Sequence, residues 1–310
     1  MISLPIRRAN AAAKRQLRAR IVSTSSSDMP APRDVRTRAS GGPPSSGIAK
    51  PRRVLLTNDD GPESPFFARF AQEMRTKLNW STYVCIPDSN WSYVSKSLKP
   101  PETSFPVDLS KGEEEARVPV SPASCVNLAL YDLARDVDLV VSGPNVGHNL
   151  GRAAILSSGT VGAALEGCIH NRKAIAVSFP FKGWNSWTDT DIKSAVDVAL
   201  EVTEFLWTNW NADEKPGSTL YNVNVPLWCC AEDKDKRMEW RETEIDQSVG
   251  YESLFRPVDG KEKEFEWFPT GQRVFDSEEA KDGGDIAAVR DGHVSITKMA
   301  PTFELYAKGT

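Results

Sequence analysis

Short apolar runs, each stopped by a turn-forming residue, recur through most of the chain after residue 52. Val54-Leu55-Leu56-Thr57, Tyr83-Val84-Cys85-Ile86 and Asp138-Leu139-Val140-Val141-Ser142 are three of them. Ala174-Ile175-Ala176-Val177-Ser178 and Leu220-Tyr221-Asn222-Val223-Asn224-Val225 are two more. Gly61, Pro87, Gly143 and Pro226 stand close after four of these runs. Continuous apolar runs of this length predict strands buried on both faces of a parallel sheet.

Between the runs, apolar residues recur three and four positions apart. Ser64 to Leu78 places Phe67, Phe70, Ala71, Met74 and Leu78 on one helical face. Asp189 to Trp207 repeats Ile192, Ala195, Val196, Ala199, Val202 and Leu206 at the same spacing. Ala123–Ala134 and the small-residue stretch Gly159–Cys168 also read as helices. Strands alternating with helices predict an α/β fold: a Rossmann-like, doubly wound, mostly parallel sheet between two helical layers. After Pro226 the pattern changes. Met238 to Val274 is charged and aromatic without a helical period, and Val294-Ser295-Ile296-Thr297 is a late strand. The reading is a core over 52–226 and a C-terminal extension of β-hairpins over 227–310.

Composition alters this picture mainly at the start of the chain. Met1 to Ser27 carries Arg7, Arg8, Lys14, Arg15, Arg18 and Arg20 and no acid. That is the composition of a mitochondrial-type presequence, and equally of a disordered basic tail. Pro30 to Lys50 is rich in Pro, Gly, Ser and Arg and reads as a flexible linker. Residues 1–51 are therefore expected to lie outside the folded domain. The expected location is cytoplasmic, or mitochondrial if residues 1–27 act as a presequence. The net charge of −4 gives no general attraction to nucleic acid or acidic membranes, so neither is an expected partner. No apolar run is long enough to cross a bilayer.

Five cysteines without a CxxC spacing predict free thiols and no disulfide framework. Adjacent Cys229 and Cys230 are ordinary thiols on this reading. Three histidines, His148, His170 and His293, leave little room for an imidazole-rich metal site. Chemistry here falls to oxygen ligands.

Four polar clusters each follow a predicted strand. Thr57-Asn58-Asp59-Asp60-Gly61 sets two carboxylates side by side where open α/β sheets bind ligands. Such a pair repels itself unless a cation lies between its members, and hard divalent cations favour oxygen. An Asx turn explains the same tetrapeptide equally well. Asp88 to Ser95 supplies hydroxyls and an amide, and alone reads as a polar loop. Ser142 to Gly151 offers Asn145 and Asn149 on a glycine-rich loop. Ser157-Ser158-Gly159-Thr160 opens a helix whose free N–H groups suit a phosphate, or are simply capped by Ser158. All four clusters converging at one sheet edge would fit metal-assisted phosphate ester hydrolysis.

These residues resemble the SurE family of 5′-nucleotidases (survival protein E). Val54 to Gly61 resembles its opening strand and Asn-Asp-Asp-Gly signature, and Pro87 to Leu98 its Pro-Asp-x-x-x-Ser loop. Val140 to Gly151 resembles Ser-Gly-x-Asn-x-Gly-x-Asn-Leu-Gly, and Ser158 to Gly167 resembles Ser-Gly-Thr-Val-x-x-Ala-x-Glu-Gly. Ala174–Ser178, Asn222–Pro226 and Asp285–Thr297 also follow the family.

The resemblance implies metal ligands at Asp59, Asp60, Ser92 and Asn145, holding one Mg²⁺ or Mn²⁺ per subunit. It implies phosphate-facing positions at Asn58, Asn149, Ser158 and Thr160, with Gly159 at the same helix start. It also implies a C-terminal extension exchanged between subunits of a homodimer or homotetramer. Three departures point to a fungal-type branch and bear on substrate choice and packing. Ser64-Pro65-Phe66 stands for Ala-Pro-Gly, Val120-Ser121-Pro122-Ala123-Ser124-Cys125 for Gly-Thr-Pro-x-Asp-Cys, and Arg152-Ala153-Ala154 for an acidic pair.

The expected activity is metal-dependent hydrolysis of nucleoside monophosphates by an activated water. Asp59, Asp60 and Asn149 are the catalytic residues, and Asp60 accepts the proton. Trp91 and Tyr93 are candidates to stack on a base, and His148 to assist the leaving oxygen. The alternatives are a broad acid phosphatase or short-chain polyphosphatase, and a noncatalytic nucleotide-binding module of an RNA-processing assembly.

Overall fold

The computed structural model describes residues 49–99, 101–183, 187–229, 238–247, 253–268, 274–275 and 280–302. The expectations for residues 1–48, and for the thiols of Cys229 and Cys230, lie outside what is described.

The expected strands form one sheet together with a strand the sequence did not announce, the third in chain order. In chain order they are β1 (Val54–Thr57), β2 (Thr82–Pro87), β3 (Glu115–Val118), β4 (Leu139–Val146), β5 (Lys173–Phe179) and β6 (Leu220–Asn224). These six are mutually parallel and lie in the order β3-β2-β1-β4-β5-β6. That is the doubly wound order, and it reverses between β1 and β4. A crevice opens at such a switch point because the connections leave the two strands toward opposite faces.

The helices are α1 (Phe67–Lys77), α2 (Pro122–Leu128), α3 (Gly151–Ser157), α4 (Gly159–Ile169), α5 (Asp189–Thr208) and α6 (Asp285–Arg290). Side chains of a strand alternate between faces, so β1 feeds two cores. Val54 and Leu56 pack with Phe70, Met74, Val196 and Leu206 of α1 and α5. Leu55 packs with Cys125, Val126, Val161 and Ala164 of α2 and α4. The result is three layers, helix on sheet on helix, as the pattern predicts. α5 is capped as its sequence asks: Thr188 Oγ1 accepts the Asp191 N–H, and Asp191 accepts the Thr188 N–H at 2.7 Å.

α1 starts three residues later than its periodicity suggests, after the Ser64-Pro65-Phe66 turn. Phe66 is fully buried there, 5.2 Å from the Phe179 ring and 5.6 Å from Trp187. It is a core residue facing α5, and its bulk does not narrow a site entrance. α3, which the sequence pattern does not announce, is a single seven-residue helix.

The C-terminal segment is more deeply built in than a peripheral extension. β10 (Val294–Met299) joins the main sheet antiparallel to β6, and β7 (Trp240–Thr243) closes the edge beside it. A separate two-stranded hairpin, β8 (Phe255–Pro257) with β9 (Phe265–Trp267), is solvent-exposed. The anchor is Asp285 at the start of α6, which is fully buried. Its carboxylate accepts N–H bonds from Gly151 at 2.8 Å, Asp246 at 3.0 Å and Ile286 at 2.9 Å. The C-terminal segment thereby holds the first residue of α3, directly after the Asn145–Asn149 loop.

Burial raises the Asp285 pKa to about 6, against the pull of those three donors. A folded-state value above the unfolded one gives a contribution that is complete below the unfolded pKa. It is lost as pH climbs through about 6. Asp285→Asn should remove that part of the decline in stability between acid and neutral pH. It should also cost about 1–3 kcal/mol, because one N–H loses its acceptor. Urea midpoints measured at several pH values check this; an unchanged slope would contradict the assignment.

Candidate functional site

The Asn-Asp-Asp-Gly segment follows β1 on one flank of the switch point. Asn58 closes its turn: the side-chain amide donates to Gly61 O at 2.9 Å, and its oxygen accepts Gly61 N–H at 3.1 Å. The Asx turn is therefore present. The turn is the device that presents Asp59 and Asp60.

Asp59 is 3% exposed and Asp60 9%. Asp59 Oδ1 accepts the Thr160 hydroxyl at 2.5 Å, and the Thr160 N–H donates to the same carboxylate. Asp60 Oδ2 accepts the Val146 N–H at 2.9 Å. Among the described residues no Lys, Arg or His pairs with either acid, and no third His, Cys, Asp or Glu joins them. Burial pushes both carboxyls above the usual range, and the charge of Asp59 pushes Asp60 further.

Two further oxygen donors, both without protein hydrogen bonds among the described residues, lie on segments whose backbone bonds to Asp59 and Asp60. One is the hydroxyl of Ser92, in the loop after β2; Trp91 N–H of that loop donates to Asp59 O at 2.7 Å. The other is the carboxamide of Asn145, 8% exposed, just past a bulge in β4 and next to the Val146 N–H that holds Asp60. Buried like charges without a cation are costly, and every neighbouring donor is oxygen. This set fits a hard divalent cation such as Mg²⁺ or Mn²⁺ better than zinc or copper.

The expected phosphate contacts divide. Asn58 spends its amide on the turn, Ser158 caps Val161 N–H at 3.0 Å, and Thr160 holds Asp59. These three have positioning work in this geometry. Asn149 belongs to a network that sequence reading missed. Its Nδ2 donates to Ser178 Oγ at 2.8 Å, and its N–H to Asn224 Oδ1 at 2.9 Å. Its carbonyl accepts Asn222 Nδ2 at 2.7 Å. Ser178, Asn222 and Asn224 lie toward the C-terminal ends of β5 and β6, the same edge as Asp59. The signal was present: asparagines two apart in a buried strand share one face, where apolar residues are usual.

Trp91 is half-buried. Tyr93 is 45% exposed and packs edge-on against Trp267 at 4.9 Å. His148 packs edge-on against Phe275 at 5.5 Å.

α4 organises both flanks of the carboxylate pair. Its first turn holds Asp59 through Thr160. A Cβ on Gly159 would come within 2.8 Å of Asp59 Cβ and 3.0 Å of Trp91 O, so no larger residue lets the helix seat there. Two turns on, Glu166 is 1% exposed and pairs with Lys96 of the Ser92 loop at 2.6 Å. Asn127 and His170 also bond Glu166, each at 2.9 Å. Lys96, Asn127 and His170 hold the Glu166 carboxyl below its usual pKa although burial opposes them.

Residues 54–249 match the model of the family described as survival protein SurE. The 5′-nucleotidase SurE of Synechococcus sp. (strain CC9605) is 30% identical, over 84% of this chain and 93% of that protein. The 5′-nucleotidase SurE of Vibrio vulnificus (strain CMCP6) is 32% identical, over 81% and 90%. A probable tubulin–tyrosine ligase of Saccharomyces cerevisiae, PBY1, is 31% identical over 81% of this chain. The chain spans only 41% of PBY1's length. The crystal structure of the SurE protein from Aquifex aeolicus superposes with a TM-score of 0.62 at 26% identity, covering 82% of this chain and 95% of that one.

Glu166→Gln should free the Ser92 loop. The ion pair is buried on the glutamate side and partly exposed on the lysine side, so the expected loss is about 2–3 kcal/mol. Trp91 emission should shift toward that of an exposed indole. Unchanged stability and emission would show that the pair does not hold the loop.

Proposed function

The chain belongs to the SurE family, and from that premise we propose that it is a divalent-metal-dependent phosphomonoesterase acting on nucleoside monophosphates. The observation that carries the reading is the buried pair Asp59 and Asp60, unmatched by any protein cation among the described residues and set at the switch point of the sheet. The named nucleotidases among its relatives support the substrate class.

Asp59, Asp60, Ser92 and Asn145 would hold one Mg²⁺ or Mn²⁺. Such a cation, when bound, supplies Lewis acidity toward a phosphoryl oxygen and lowers the pKa of a nearby water. Asp60, whose Oδ2 is fixed by Val146 N–H, keeps its other oxygen for a proton from the attacking water. Asn149 has a second amide hydrogen beyond the one given to Ser178, and would donate it to a non-bridging phosphate oxygen. The N–H of Gly159 at the start of α4 is the second proposed donor. Thr160 keeps Asp59 ionised and in place, and Asn58 and Ser158 set the turn and the helix start. Asp59, Asp60 and Asn149 are each about nine-tenths or more buried, which strengthens their contacts.

The test is phosphate release by the full-length chain from 5′- and 3′-nucleoside monophosphates, p-nitrophenyl phosphate and short polyphosphate. Turnover should need Mg²⁺ or Mn²⁺, stop with EDTA, and favour 5′-monophosphates. The Asp59→Asn/Asp60→Asn variant should lose about a thousandfold or more, and Asn149→Ala about a hundredfold. Turnover untouched by EDTA and by the double variant would sink the reading. Preference for polyphosphate or for the aryl ester would move the substrate class to the broader phosphatase.

A further inference from the structure

The opposite end of the sheet carries a second recess. β4 and β5 run from it toward the carboxylate pair, so it faces away from the edge that holds Asn145 and Ser178. The recess has a volume of about 370 Å³ and is bounded by Asp138, Arg172, Lys173, Trp207, Trp210 and Lys215, with Glu214 beside them. That volume is within the range of small-ligand sites, about 300–1,000 Å³.

Its charges are unbalanced. The two acids are already matched by cations from outside the recess. Arg52 clasps Asp138 with Nε at 3.0 Å and Nη2 at 2.5 Å. Lys298 pairs with Glu214, which also accepts the Thr219 hydroxyl at 2.5 Å. Arg172, Lys173 and Lys215 remain without an ion pair among the described residues, although the Asp138 charge also acts on Arg172 and Lys173.

Two of these cations are partly out of water. Arg172 gives Nη1 to His170 O at 3.3 Å, while its Nε is buried without an acceptor. The Lys173 ammonium lies 4.2 Å from the Trp207 ring centre and 5.5 Å from that of Trp210. Both indoles are more than nine-tenths buried, 8% and 7% exposed. Ring faces offset only part of the cost of a desolvated ammonium. Burial accordingly lowers the Lys173 pKa.

We propose that this recess is a binding site for a small phosphate-bearing anion, no larger than a nucleoside monophosphate, separate from the carboxylate edge. A guanidinium can take two phosphate oxygens at once, and one ammonium group matches a dianion's remaining charge, with the second in excess. Free inorganic phosphate and a phosphate monoester share this chemistry. The site stands on charge and cavity alone and is independent of the activity proposed for the other edge.

The experiment titrates the full-length chain in EDTA with inorganic phosphate, AMP and adenosine, reading calorimetric heat and tryptophan emission. Saturable 1:1 binding of phosphate or AMP, with adenosine at least about tenfold weaker, is expected. Tighter binding of AMP than of phosphate identifies the monoester as ligand, and the reverse identifies the free ion. Arg172→Gln should weaken binding about tenfold or more. Lys215→Gln, at an exposed position that leaves the core intact, should weaken it by a smaller measurable factor. Asp59→Asn/Asp60→Asn should leave it unchanged. Absence of saturable binding, equal affinity for adenosine, indifference to both cation variants, or loss in the Asp59/Asp60 variant would each overturn the proposal.

Discussion

Two adjacent carboxylates held out of water are the constraint around which the described structure is arranged. Asp59 and Asp60 repel one another, and burial penalises their charge. A chain keeps such a pair only where the surrounding fold over-determines it. Here it does so from three directions. Asn58 locks the turn from within, the first turn of α4 donates two hydrogen bonds to Asp59, and the backbone of β4 donates one to Asp60. The energy stored in the unmatched pair is what a cation would release on binding, so strain and proposed function are one feature.

The sheet order supplies the place. β1 and β4 are neighbours whose connections leave in opposite directions, and the crevice between their ends receives loops from β2 and β4 together with the start of α4. That helix acts as a rigid ruler. Thr160 at one end fixes an acid, and Glu166 two turns later fixes the loop carrying Ser92 through Lys96. Asp285 does the same for the asparagine loop from the C-terminal side. Residues distant in sequence thus hold the site by charge-assisted hydrogen bonds, which are shorter and stronger than neutral ones.

Much of this was legible from the chain. Buried parallel strands declare themselves as uninterrupted apolar runs, and α5 by its spacing. β3 was hidden because Glu-Ala-Arg-Val alternates at a sheet edge and carries charge. α3 was hidden because seven residues opening on glycine give no periodicity to read. The carboxylate pair, Asn145 and Asn149 stand out in the sequence as polar residues at or just after the ends of apolar runs. The work of Thr160 was not, since a helix N-terminus looks equally ready for a phosphate or for a neighbouring aspartate. Asn222 and Asn224 left a signal in their spacing that was not used, whereas Ser178 and the Lys96–Glu166 pair needed the tertiary structure, because hydrogen bonds across separate strands and loops leave no local pattern. The packing of Phe66 left no local trace for the same reason: its neighbours Phe179 and Trp187 lie over a hundred positions away.

Calorimetric titration of Mn²⁺ into the full-length, chelator-treated chain tests the central claim most directly, run near neutral pH in buffers of different ionisation enthalpy. The account predicts one cation bound per chain with release of protons from the carboxylate pair, and loss of both in the Asp59→Asn/Asp60→Asn variant. Absence of binding, or binding that survives in the folded double variant, would contradict it.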